Sequence, residues 1–121
     1  MFDFEEVACM LDEIADAVPR ELYRELNGGI SVVPGLKLHP MARNNDLFIL
    51  GEYIQSSIGN SIVLYYGSIM RVYSRLDRDA LYRELEHILH HELRHHNEFL
   101  AGTDDLKLWD DRQLAEYLGN A

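Results

Sequence analysis

One stretch of the chain, residues 81–102, restricts the possible folds more than any other; it reads LYRELEHILHHELRHHNEFLAG. At about 100° per residue, its leucines, isoleucine and phenylalanine fall on one arc, which predicts a long amphipathic helix. Asp77 is suited to cap the helix N-terminus, and Gly102 is a typical C-terminal stop. The rest of the chain is therefore expected to pack against this helix.

Within the predicted helix, His91, Glu92 and His95 form the pattern H-E-x-x-H. Residues four apart share a helical face, so the two imidazoles can meet at one metal ion. Glu92 falls inside the apolar arc, where a carboxylate costs desolvation free energy unless a polar group compensates. A metal-bound water would compensate, and the pattern predicts Glu92 as the group that polarises it.

A catalytic zinc site usually has three protein ligands and one open position, so a third ligand is needed. Glu98 ranks first, because it lies one turn beyond His95 and helical side chains lean toward the N-terminus. Asp105 ranks close behind, because a chain that reverses at Gly102 would bring it over the histidines. His87 ranks third, because about 12 Å of helical rise separates it from His95.

Composition offers a competing interpretation of the motif. Five histidines lie within residues 87–96, so an H-E-x-x-H match can arise by chance, and a histidine-rich helix can simply be a solvated face. His96 faces the apolar arc and is expected to be a core histidine or a residue that supports a ligand. His90 is expected to lie on the surface.

Length and charge restrict the class of protein. The 121 residues predict a single domain, residues 1–121, with one core. A net charge of −10 argues against nucleic-acid or membrane partners. Cys9 is the only cysteine, which excludes an intrachain disulfide and a cysteine-based zinc site. No signal peptide or membrane-spanning run is recognisable, so a cytoplasmic location is expected.

The remaining segments predict an α+β fold. Asp3 caps a first helix, and Pro19 starts a second, short one that stops at Gly28. The segments 30–33, 47–53 and 61–66 predict strands, the last of them central because it is the most apolar. Residues 36–39 are expected to extend the first strand, residues 67–74 to form a short helix, and the tail after residue 103 to end in another.

The sequence resembles the small bacterial zincin-like metallopeptidases, often called minimal metalloproteases. Residues 91–96 match the first half of their HExxHxxGxxD signature. The segments NGGI (27–30), LHP (38–40), DLFILGEY (46–53) and IVLYYGS (62–68) also look like segments of one branch of that family. The resemblance implies a minimal zincin-like α+β fold, with a small mixed sheet on helices, a zinc ion (Zn2+) and Glu92 as general base.

The chain departs from that signature where Glu98 occupies the glycine position. The Gly-x-x-Asp half appears four residues later, from Gly102 to Asp105. Four extra residues prolong a helix by about 6 Å, which is why Glu98 is ranked ahead of Asp105 as metal ligand. A helix that ended early and looped would restore Asp105.

The expected function is zinc-dependent hydrolysis of a peptide or protein substrate, with an exposed strand edge (47–53 or 61–66) aligning the substrate backbone. The alternative is a non-catalytic module of the same fold that binds metal or a protein partner, because a chain this small leaves little material for substrate subsites. A third interpretation is a metal-dependent hydrolase acting on a non-peptide bond.

Overall fold

A computed structural model of the protein describes residues 1–44 and 47–102. These residues form helices α1 (Phe4–Ala17), α2 (Tyr66–Tyr73) and α3 (Arg78–Gly102) and a 3₁₀ turn (Arg20–Tyr23). The strands are β1 (Gly29–Val33), β2 (Lys37–Leu38), β3 (Phe48–Ile49), β4 (Gly51–Ser56) and β5 (Gly59–Tyr65). The fold class is α+β, as predicted. The helix predicted after residue 103 lies outside the described residues.

The main sheet is mixed, with the strand order β1-β5-β4. Strand β1 runs parallel to β5 with Ile30 opposite Ile62, and β4 runs antiparallel to β5 with Tyr53 opposite Ile62. The prediction of a central strand over 61–66 is confirmed in its position, although the strand ends at Tyr65 and Tyr66 begins α2. Its side chains Ile62 and Leu64 are fully buried, as expected for a strand that has neighbours on both edges.

Helix α3 packs its apolar face into the core. Leu81, Leu85, Leu89 and Leu93 recur at every fourth position and are completely buried. The predicted N-cap is confirmed, since an Asp77 carboxylate oxygen accepts the Ala80 N–H at 2.8 Å. None of the helices in the described part of the chain is long and apolar enough to cross a membrane.

Helix α1 also begins where the sequence predicts. The Asp3 side chain accepts the Glu6 N–H at 2.8 Å, and the Glu6 carboxylate accepts the Asp3 N–H at 3.0 Å, which forms a capping box. The helix buries Val7, Met10, Leu11 and Ile14 in the same core as the leucines of α3. Helix α1 therefore shares one core with α3 and supports it there.

Two strand predictions and one helix prediction were wrong in detail. The strand expected over 47–53 is divided at Leu50, because β3 pairs with β2 whereas β4 pairs with β5. Residues 36–39 do not extend β1, since Lys37 and Leu38 form β2 in a second, two-stranded sheet. The short helix expected after Pro19 is a 3₁₀ turn of four residues.

Gly67 holds the start of α2 against the segment between β1 and β2. Its N–H donates to the Gly35 carbonyl at 3.0 Å. A Cβ at position 67 would lie 2.8 Å from both the Gly35 carbonyl carbon and the Leu36 nitrogen, which are backbone atoms. The close approach of the two segments therefore requires glycine here.

We predict that Gly67→Ala lowers the free energy of unfolding by about 1–3 kcal/mol, because the added methyl group forces two backbone segments apart. Urea denaturation measures the change. Gly35→Ala is the control, since a Cβ at position 35 meets nothing within 4 Å. Equal losses in the two variants would contradict the packing account.

Candidate metal centre

Helix α3 brings the two motif histidines together on its exposed side. The Nε2 atoms of His91 and His95 lie 3.1 Å apart, and the ring planes are perpendicular. Two nitrogens bound tetrahedrally to one zinc ion at 2.0–2.1 Å would lie about 3.3 Å apart. The same spacing also allows a hydrogen bond between the two rings. By distance, the pair fits a shared divalent cation.

Glu92 lies at the floor of the cleft between α3 and β4. Its residue surface is only 8% exposed, so the prediction that it points into the apolar arc is confirmed. Burial raises the pKa of the Glu92 carboxyl to about 7, a hydrogen bond from the Tyr53 backbone opposes the rise, and the charge of Glu52 adds to it. The Tyr53 N–H is thus the backbone donor that holds this carboxyl group in place.

The third ligand is not found beside the histidines in the described ranges. Among residues 1–44 and 47–102, no three His, Cys, Asp or Glu side chains converge as a metal site. Glu98 is exposed and does not join His91 and His95. Asp105 lies outside the described residues. Both carboxylates therefore stay predictions, whereas His87 lines a neighbouring cavity instead.

His96 is completely buried and connects three parts of the fold. Its Nε2 lies 2.7 Å from the Arg24 carbonyl oxygen, which can only accept, so Nε2 carries the proton. Its Nδ1 must then accept, and the Tyr53 hydroxyl donates to it at 2.7 Å. Burial lowers the pKa of His96, which favours this neutral imidazole. The prediction of a core histidine is confirmed.

Tyr53 is the site residue that the sequence analysis missed. Its side chain positions His96, its backbone holds Glu92, and it lines the cleft. One signal was available, because a period of two along β4 places Tyr53 on the same face as Gly51. Its hydrogen-bond partner His96 lies 43 positions away in the sequence, so no local sequence pattern indicates the contact.

Two cavities meet at Glu92. One, of about 410 Å³, extends along α3 past His91, and the other, of about 470 Å³, extends along β4 past His95. Gly51 lines both, and a Cβ at this position would lie 2.9 Å from the Ile88 Cγ2. Strand β4 thus approaches α3 closely at Gly51, and the cleft opens on either side.

We predict that His96→Ala lowers the free energy of unfolding by about 2–4 kcal/mol. The change leaves the Tyr53 hydroxyl and the Arg24 carbonyl without their partner and opens a cavity. Urea denaturation in the presence of a chelator measures stability without a contribution from bound metal. His87→Ala, at an exposed position of the same helix, should change stability by less than about 0.5 kcal/mol. A similar effect of both changes would contradict the structural role of His96.

Comparisons with known proteins found a family model and a solved structure that match the chain. The family model described as zincin-like metallopeptidase matches residues 48–115, a range that contains β4, Glu92 and both motif histidines. A solved structure, a conserved hypothetical protein from Thermus thermophilus, is 32% identical with a TM-score of 0.72. The match covers 84% of this chain and 100% of that chain. No curated protein matches the chain in sequence.

Proposed function

Because the chain belongs to the family of zincin-like metallopeptidases, we propose that it hydrolyses peptide bonds with a zinc ion held by His91 and His95. The observation that carries the proposal is the pair of Nε2 atoms 3.1 Å apart, with Glu92 next to them on the helix. A carboxylate, Glu98 or Asp105, would be the third ligand.

The donor set suits zinc, because imidazole nitrogen together with carboxylate oxygen is a common combination for this ion. When bound, zinc lowers the pKa of a coordinated water and polarises the scissile carbonyl group. His91 and His95 would hold the ion through neutral imidazoles, and a hydrolytic site also requires a position for water.

Glu92 is the proposed general base. It would accept a proton from the attacking water as the water oxygen bonds to the carbonyl carbon, and give that proton to the leaving nitrogen as the C–N bond breaks. The carboxyl group is buried and accepts a hydrogen bond from the Tyr53 backbone, and both features limit its movement. A fixed base at the floor of the cleft supports proton transfer at a defined point.

Strand β4 supports an extended peptide as the substrate. The Leu50 carbonyl accepts the Tyr65 N–H, so even-numbered residues here point their backbone groups toward β5. The odd-numbered residues Gly51, Tyr53 and Gln55 therefore point theirs outward, as the Tyr53 N–H to Glu92 bond requires. These three residues line the 470 Å³ cavity. A peptide could add to this outer edge by main-chain hydrogen bonds.

We predict that Glu92→Gln retains zinc and loses at least about a hundredfold in kcat/KM on fluorogenic peptides, because the amide cannot accept the proton. Elemental analysis of untagged protein measures zinc, and the peptide assay measures hydrolysis. Glu86→Gln removes the same charge at a position about 120° away around the helix and serves as the control. Unchanged hydrolysis by Glu92→Gln would refute its role as base.

We predict that His91→Ala and His95→Ala each abolish stoichiometric zinc, since each removes one of two converging nitrogens. Competition with a zinc chelator then ranks Glu98→Gln against Asp105→Asn, and the variant with the weaker affinity identifies the third ligand. Full affinity in both carboxylate variants would contradict a third ligand from either position. If the unsubstituted protein also lacks stoichiometric zinc, the result would favour the non-catalytic module.

A further inference from the structure

We propose that the 410 Å³ cavity beside the candidate metal centre binds a basic side chain of the substrate, lysine or arginine, and that Glu84 recognises its charge. The inference rests on the proposed peptidase function and specifies the substrate class of the same site. An apolar wall of this cavity extends from Glu92 to one further carboxylate, that of Glu84.

The cavity begins at the groups that would carry out the reaction. His91 and Glu92 line one end of it, and its walls are formed largely by Ile49, Leu50 and Ile88. Its volume lies in the range of about 300–1,000 Å³ that is typical of ligand sites. A side chain in this cavity would therefore belong to a substrate residue close to the bond that is cleaved.

Glu84 lies in the wall of the cavity on helix α3, seven residues before His91. Seven residues correspond to about 10.5 Å of helical rise, so a long side chain is needed to reach it from the reacting groups. The Tyr73 hydroxyl, from the last residue of α2, donates a hydrogen bond to the Glu84 carboxylate. This donor is neutral, so it orients the carboxylate without cancelling its charge.

The combination of an apolar wall and a distant carboxylate matches lysine and arginine. Both have an apolar stem that packs on hydrophobic surface and a cationic end that reaches a polar partner. An apolar substrate side chain would bury Glu84 without a charged partner, and an acidic one would meet both Glu84 and Glu92. The net charge of −10 would also attract a basic substrate.

Small lysine analogues test the cavity without any requirement for catalysis. Nα-acetyl-lysine amide and Nα-acetyl-norleucine amide have the same four-carbon stem, and only the first carries an ammonium group. Their affinities for the protein as purified are measured at about pH 8 from the NMR methyl signals of Ile49 and Ile88.

The expected result is that the lysine amide binds about tenfold more tightly than the norleucine amide. Glu84→Gln should remove that difference, and Glu84→Asp should reduce it but retain its direction. Glu86→Gln is the matched control and should keep the tenfold preference, because Glu86 does not line the cavity. The methyl spectrum of each variant also reports whether the fold is intact.

Equal affinities for the two amides, or a lysine preference that survives Glu84→Gln, would overturn the assignment. The result also separates this inference from the proposed peptidase activity. Peptide cleavage without preference for lysine or arginine near the cleaved bond would overturn the role of the cavity alone. Selective lysine binding by a protein that cleaves no peptide would overturn the peptidase activity and support the role of Glu84.

Discussion

The close packing of helix α3 on strand β4 is the constraint on which the candidate site depends. The leucines at every fourth position of α3 fix its rotation, which turns His91 and His95 outward and Glu92 toward the strand. Gly51 allows the strand to approach Ile88 where any Cβ would be too close. On the same strand, two residues after Gly51, the Tyr53 backbone hydrogen-bonds to the carboxyl group of Glu92.

His96 makes this packing specific. The hydrophobic effect is non-directional, so apolar burial alone would let the helix slide or rotate slightly. A buried imidazole with one donor and one acceptor nitrogen is satisfied only when the Arg24 carbonyl and the Tyr53 hydroxyl are both in place. One residue after His95, the chain is therefore fixed to two other elements, and this limits how far the neighbouring imidazole can move.

Local patterns predicted the parts of the structure that local physics determines. The Asp77 cap, the apolar stripe of α3 and the convergence of His91 with His95 follow from helical geometry alone. The division at Leu50 was missed, because it depends on which distant strand each half pairs with. The sequence suggested only a helix-dipole role for Glu84, as an acidic residue early in α3. Its place in the cavity was missed, since its partner Tyr73 lies on another helix and no spacing rule connects them.

The central claim is that the two imidazoles of α3 bind one zinc ion. Anomalous diffraction at the zinc absorption edge, from crystals of the protein grown with zinc, tests it most directly. The account predicts one strong peak within about 2.0–2.1 Å of both Nε2 atoms, with a carboxylate oxygen completing the protein ligands. A peak elsewhere, or no peak while the two rings stay hydrogen-bonded to each other, would contradict it.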